Sequence, residues 1–223
     1  TLDIYCDNEV NDLCFLNSLK SLERLNLNDL DGISSLDGLE AVSETLSYLA
    51  MEGLDSLAEF RTTCGFPQLV ELNLSASEIK NLNFLKQMPN LQVLELNCPG
   101  LNDFSGLSNL SALEELEMDQ FHEDDLACLN NCSSLFNLSI YCADSLTSLE
   151  SIQELNQLES LFLQNCDKIT NLAPLVNLPK LKSLDLDSYM RAFNIDEEPF
   201  DIKECSSAIK YIDRKVRIKL KCR

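Results

Sequence analysis

Eight copies of one six-residue pattern constrain this chain more than any other feature. Aligned on Leu-x-x-Leu-x-Leu, it reads LERLNL from Leu22, LSYLAM from Leu46, LVELNL from Leu69 and LQVLEL from Leu91. It continues with LEELEM from Leu113, LFNLSI from Leu135, LESLFL from Leu158 and LKSLDL from Leu181. The steps between copies are 24, 23, 22, 22, 22, 23 and 23 residues. Units this short cannot bury an apolar face alone, so each must stack on its neighbours. Within a copy, the fourth and sixth positions alternate with polar ones and share one side of a strand. One strand per repeat predicts a parallel sheet. Between strands the apolar residues return every third position, as in Leu82, Leu85, Met88, Leu91 and Leu94, or Leu172, Leu175, Leu178, Leu181 and Leu184. Period three fits 3₁₀ turns or extended segments better than an α-helix.

These motifs resemble the leucine-rich repeat family over roughly residues 1–190, in its short internalin-like and protein-phosphatase-regulator-like form. The resemblance implies an α/β solenoid: a curved leucine-rich repeat with a parallel β-sheet on its concave face and 3₁₀, extended or short helical segments on its convex face. It also implies service as a binding module, as in phosphatase regulation, cytoskeletal or axonemal assemblies and microbial proteins aimed at host factors. Leu2 and Ile4 match the fourth and sixth positions one repeat before Leu25, so about eight full repeats follow a partial one. Since the chain begins inside a repeat, further sequence before Thr1 is expected. Residues 191–223 read as a C-terminal cap. Ile202, Cys205, Ile209 and Ile212 have helical spacing after a candidate N-cap at Asp201, and VRIKL alternates as a basic edge strand.

One departure from the family concerns the turn after each strand. The ninth position usually holds Asn; here it holds Leu30, Leu54, Ser77, Pro99, Phe121, Ala143, Cys166 and Tyr189. The turn hydrogen bonds are therefore expected from backbone or water.

Charge narrows the partner. There are 37 acids against 17 bases, net −20. Seven of the bases lie in residues 210–223, which leaves residues 1–209 with 36 acids and 10 bases, net −26. Such a body repels phosphate backbones, so no nucleic acid is expected to bind it. No apolar run is long enough to span a membrane, and no membrane contact is expected. The ten cysteines form no tight terminal cluster. Cys6 with Cys14 and Cys205 with Cys222 are the only candidate end pairs, and Cys98, Cys142 and Cys166 recur as small buried thiols would. An intracellular, cytoplasmic location is expected.

The odd positions of each strand face the concave side. There Glu71, Glu95, Glu115, Glu117 and Asp119 form an acidic cluster, with Glu95 and Glu117 expected as lateral neighbours. Tyr141 and Phe162 follow, together with Phe136, as outward-facing aromatics. Acids beside exposed aromatics suit a basic partner protein. These seven side chains, without Phe136, are the expected partner-binding residues. The chain is expected to be monomeric or part of a hetero-complex. A different reading makes it a structural subunit held in a large assembly by its ends and basic cap, or the recognition domain of a larger protein. Catalysis is not expected. The single histidine, His122, sits in FHEDDLACLNNC, a weak match to zinc spacing. No phosphate loop or serine elbow occurs, and neither metal nor cofactor is implied.

Overall fold

The computed structural model describes residues 1–5, 10–76, 78–166, 168–169, 171–187 and the strand Arg217–Lys221. They fall in two compact units, Thr1–Leu113 and Glu114–Arg223.

In the first unit, five parallel strands pair in chain order: β1 (Leu2–Tyr5), β2 (Arg24–Asn28), β3 (Tyr48–Glu52), β4 (Glu71–Ser75) and β5 (Val93–Asn97). Leu2 lies opposite Leu25, Leu25 opposite Leu49, Leu49 opposite Leu72 and Leu72 opposite Leu94. The sequence repeat is thus the pairing register. From β2 onward each strand covers the third to the seventh position of its motif. Leu25, Leu27, Leu49, Met51, Leu72, Leu74 and Leu94 are at most 1% exposed. Full burial of such a side chain contributes about 1.5–3 kcal/mol. A slip of one residue would turn this set out to solvent, so the leucines also hold the register.

The second unit repeats the plan with β6 (Glu115–Asp119), β7 (Asn137–Tyr141), β8 (Ser160–Gln164), β9 (Ser183–Asp187) and β10 (Arg217–Lys221). Consecutive strands are again parallel and paired. The basic terminal strand joins in register, with Arg217 opposite Ser183, Lys219 opposite Asp185 and Lys221 opposite Asp187. The helix expected around Ile202–Ile212 lies outside the described residues.

Return segments hold 3₁₀ turns at Cys14–Ser18, Leu39–Val42, Asn83–Gln87 and Ser105–Asn109 in the first unit. Ala127–Leu129, Glu150–Glu154 and Ala173–Asn177 are their counterparts in the second. Residues three apart eclipse on a 3₁₀ turn, which is why the apolar period is three. Entry into six of these seven turns, all but Leu39–Val42, is fixed by a side chain that sequence reading missed. The first N–H of the turn donates to an oxygen two residues earlier: Cys14 to Asp12 (2.8 Å), Asn83 to Asn81 (3.1 Å) and Ser105 to Asp103 (3.0 Å). In the second unit, Ala127 donates to Asp125 (2.8 Å), Glu150 to Ser148 (3.2 Å) and Ala173 to Asn171 (2.9 Å). These are Asx and Ser turns, local bonds that start the segment in the right direction.

Among the described residues, the turn after a strand takes two forms. Asp29, Gly53, Gln120, Cys142 and Asn165, all at the eighth position, have φ of 54°, 64°, 57°, 50° and 54°. This left-handed step sends the next residue inward: Leu30, Leu54, Phe121, Ala143 and Cys166 are at most 1% exposed. Backbone supplies the hydrogen bonds, as the missing Asn ladder implied. The N–H groups of Asp29, Gly53, Gln120 and Cys142 donate to the carbonyls of Glu52, Ser75, Tyr141 and Gln164 at 2.8–3.1 Å. In the repeats that begin at Leu69 and Leu91 the inward place instead falls one residue earlier, on Ala76 and Cys98, each 1% exposed. Pro99 is exposed. Cys142 also departs from expectation: it is the half-buried, left-handed residue of its turn, and Ala143 fills the core beside it.

Candidate protein-binding face

Odd-numbered motif positions project from the strand face opposite the leucines. On the first unit, the Arg24 guanidinium lies 3.7 Å from the centre of the Tyr48 ring. Glu71 sits between Tyr48 and Val93 in the strand register, and Glu95 lies beside Asn73. Glu95 is exposed and Glu71 half-buried. Burial, then the Glu71 carboxylate, pushes the Tyr48 hydroxyl above its ordinary pKa, against an opposing pull from Arg24. A cavity of about 150 Å³ opens among Glu52, Asn73, Ser75, Glu95 and Asn97.

On the second unit, β6 carries Glu115, Glu117 and Asp119 on the same face. The Asn137 amide donates to Glu115 Oε2 at 3.1 Å, so Glu115 is steadied from the next strand. Glu117 is exposed and lies opposite Ser139. Asp119 lies opposite Tyr141 and accepts the Gln120 N–H at 2.8 Å. Tyr141 meets Phe162 with ring centroids 5.0 Å apart and planes at 47°, although the residues are not direct register partners. Phe162 lies opposite Ser139 on one side and Asp185 on the other. Five of the seven expected residues (Glu115, Glu117, Asp119, Tyr141 and Phe162) are thereby gathered on three adjacent strands. Glu71 and Glu95 belong to the first unit, on adjacent strands of its own sheet. Phe136, the third expected aromatic, is half-buried.

The histidine segment has another use. Asp125 accepts the Ala127 N–H, and the Asp124 carbonyl accepts the N–H groups of Thr147 and Ser148 at 2.9 and 3.1 Å. Its acids therefore shape a return segment. Burial, with help from Glu123, pushes the Cys128 thiol up to about 12, and burial alone pushes Cys132 to about 11. Among the described residues, no group of three or more His, Cys, Asp or Glu side chains is placed to hold a metal ion. Among them, too, no helix is long and apolar enough to cross a membrane.

One parallel strand per repeat, leucines inward at the fourth and sixth positions, and 3₁₀ returns define a leucine-rich repeat fold. Solved structures share it. The leucine-rich repeat domain of the type III effector XopL matches with a TM-score of 0.70 at 17% identity, over 92% of this chain and 70% of its own. The internalin InlF of Listeria monocytogenes matches at 0.62 and 21% identity, over 77% of this chain and 55% of its own. TLR13, solved in complex with a single-stranded RNA, matches at 0.60 and 20% identity, over 97% of this chain and 36% of its own. At these identities the likeness is one of fold. No protein-family model and no curated protein sequence matches the chain.

Proposed function

We propose that this chain is a non-catalytic interaction module that binds a basic partner protein on its open strand face. Glu71 and Glu95 contribute on the first unit, and Glu115, Glu117, Asp119, Tyr141 and Phe162 on the second. The observation that carries this reading is the Tyr141–Phe162 ring pair on β7 and β8, with Asp119 of β6 opposite Tyr141. Aromatics offer contact area at low entropy cost, and acids beside them select a basic partner and speed its approach. The XopL and internalin structures support a binding role by their fold. The TLR13 complex holds RNA, but carboxylates on the present strands would repel a phosphate chain.

The same reading assigns the basic terminal strand a structural role. Lys219 and Lys221 stand in backbone register opposite Asp185 and Asp187, and basic residues on a terminal edge strand discourage pairing with other chains. Cys98, a thiol only 1% exposed in the core, supports an intracellular, reducing location.

The test is affinity capture from lysate with the wild type and a Glu95→Lys/Glu115→Lys/Glu117→Lys variant, both first shown to fold by circular dichroism. Basic proteins held by the wild type should be absent from the variant and elute with salt. Identical captured sets would sink the acidic-face reading.

A further inference from the structure

Residues 1–113 contain 17 acids and only five bases, Lys20, Arg24, Arg61, Lys80 and Lys86. Three of those five line one cavity of about 270 Å³ between residues 58–62 and 79–87, where the sole acid is Glu59. Three cations less one carboxylate make this lining +2, in a unit whose 17 acids and five bases sum to −12. The cavity belongs to return segments, apart from the strand residues of the proposed partner face.

The cations are held loosely. Arg61 meets Glu59 at 2.7 Å and Lys80 meets Glu78 at 3.5 Å, but all four side chains are more than half exposed. Water screens such pairs, so a better acceptor can replace either carboxylate. Lys86 makes no ion pair among the described residues. In the same lining Phe60 and Phe84 stack, with centroids 4.4 Å apart and planes at 14°. Phe66 braces Phe60 edge-on at 6.3 Å. Asn81, Asn83, Thr62 and Gln87 complete the wall, and the Thr62 hydroxyl fixes Gln87 by donating to its Oε1 at 2.9 Å.

We propose that this cavity binds a small phosphate monoester, its phosphate between Arg61, Lys80 and Lys86 and its organic part over the Phe60–Phe84 pair. A phosphate monoester carries about −1.5 to −2 at neutral pH, which matches the lining, whereas a single carboxylate leaves a cation unmatched. The planar guanidinium can hold two phosphate oxygens at once, and the lysines act as point charges. The cavity lies at the small end of ligand sites, which limits the organic part to about one ring.

Calorimetric titration of the whole chain with phenyl phosphate, inorganic phosphate and benzoate tests this assignment. Phenyl phosphate should bind one to one, more tightly than either control. Arg61→Gln and Lys86→Gln should each weaken it about tenfold, while Glu95→Gln on the strand face leaves it unchanged. Both substituted side chains are exposed, and circular dichroism verifies their folds. No saturable binding of phenyl phosphate at millimolar concentration would overturn the proposal. So would unchanged binding in an Arg61→Gln/Lys86→Gln variant, or inorganic phosphate binding as tightly as the ester. None of these outcomes bears on the partner-face reading.

Discussion

Gly106 lies so close to the main chain of Leu82 that a Cβ on it would stand 2.1 Å from the Leu82 carbonyl oxygen. The obstacle is backbone in the neighbouring repeat, which cannot step aside as a flexible side chain would. Gly106→Ala should therefore cost about 1–3 kcal/mol in urea unfolding. Gly65→Ala, where the nearest atom would be the Gln87 oxygen at 3.0 Å, should cost less. Equal losses at the two sites would contradict this packing.

The Asx turns set a second expectation. The Ser105 hydroxyl and N–H hold the Asp103 carboxyl below its ordinary pKa. Because the folded value is the lower one, the associated stability is present above the unfolded value and fades as pH falls through the folded value. Asp103→Ala should lower the unfolding midpoint at neutral pH, by about 0.5–1 kcal/mol for a lost local bond. Asp103→Asn keeps the acceptor and should cost less, and the Ala variant should match the wild type in strong acid.

Left-handed residues give a third. Gln120 adopts φ of 57°, where a side chain clashes with its own carbonyl, while Gly53 holds the equivalent place at 64°. Gln120→Gly should stabilise by about 0.5–1 kcal/mol after its larger unfolded-state entropy is counted. Asn165→Gly should gain less, since Asn tolerates this region. Gly53→Ala should destabilise, because its Cβ would also fall 2.5 Å from Asp29 Oδ1. Thermal unfolding of the three variants decides the order.

The thiols of Cys128 and Cys132 set a fourth, at high pH. Both are raised in the folded chain, from 9.0 to about 12 and about 11, chiefly by burial. The unfolded chain thus releases these protons first. Stability is intact below pH 9 and declines through the interval up to pH 11–12. Each thiol contributes a slope of about 1.4 kcal/mol per pH unit within its interval. Cys132→Ala should flatten that decline, read as the alkaline unfolding midpoint. At pH 8 both native thiols should resist iodoacetamide and react once the chain is unfolded.

On the open face, a double-mutant cycle of Tyr141→Ala and Phe162→Ala should give a coupling of about 0.5–1.5 kcal/mol in stability. A far larger loss of partner binding with the fold intact would mark the ring pair as a contact. A loss confined to stability would make it part of the sheet's own packing.

Much of this fold was legible because the leucine period acts twice, setting strand position and pairing register at once. Leu25, Leu49, Leu72 and Leu94 align in sequence and stand opposite one another in space. The turn after the strand was less legible. An inward residue at the eighth or ninth position depends on whether φ turns positive, and Ala76 and Cys98 are apolar but too small to announce themselves. The six turn-starting oxygens were missed because Asp, Asn and Ser look alike as solvated residues until their N–H partners are seen. In the candidate face, the acids and rings could be assigned to strands from the period alone. Their partners could not: the bond from Asn137 to Glu115 depends on rotamers. The cavity at Arg61, Lys80 and Lys86 was hidden because its cations come from separate segments with no shared spacing.

The bonds that delimit each repeat have a consequence for descent. At six of the described 3₁₀ turns entry is set by an oxygen two residues upstream, and at four strand ends exit is set by an N–H that bonds the main chain of the next copy. Neither bond reads the identity of the neighbouring side chains. A genetic duplication or deletion of one copy delimited in this way would therefore leave its joins chemically equivalent to those it replaced. Specific side-chain partners are the exceptions: Phe60 stacked on Phe84, Tyr141 against Phe162 and Asn137 bonded to Glu115 each tie two particular copies together. A lineage of such chains should change its number of copies freely elsewhere and keep these pairs intact.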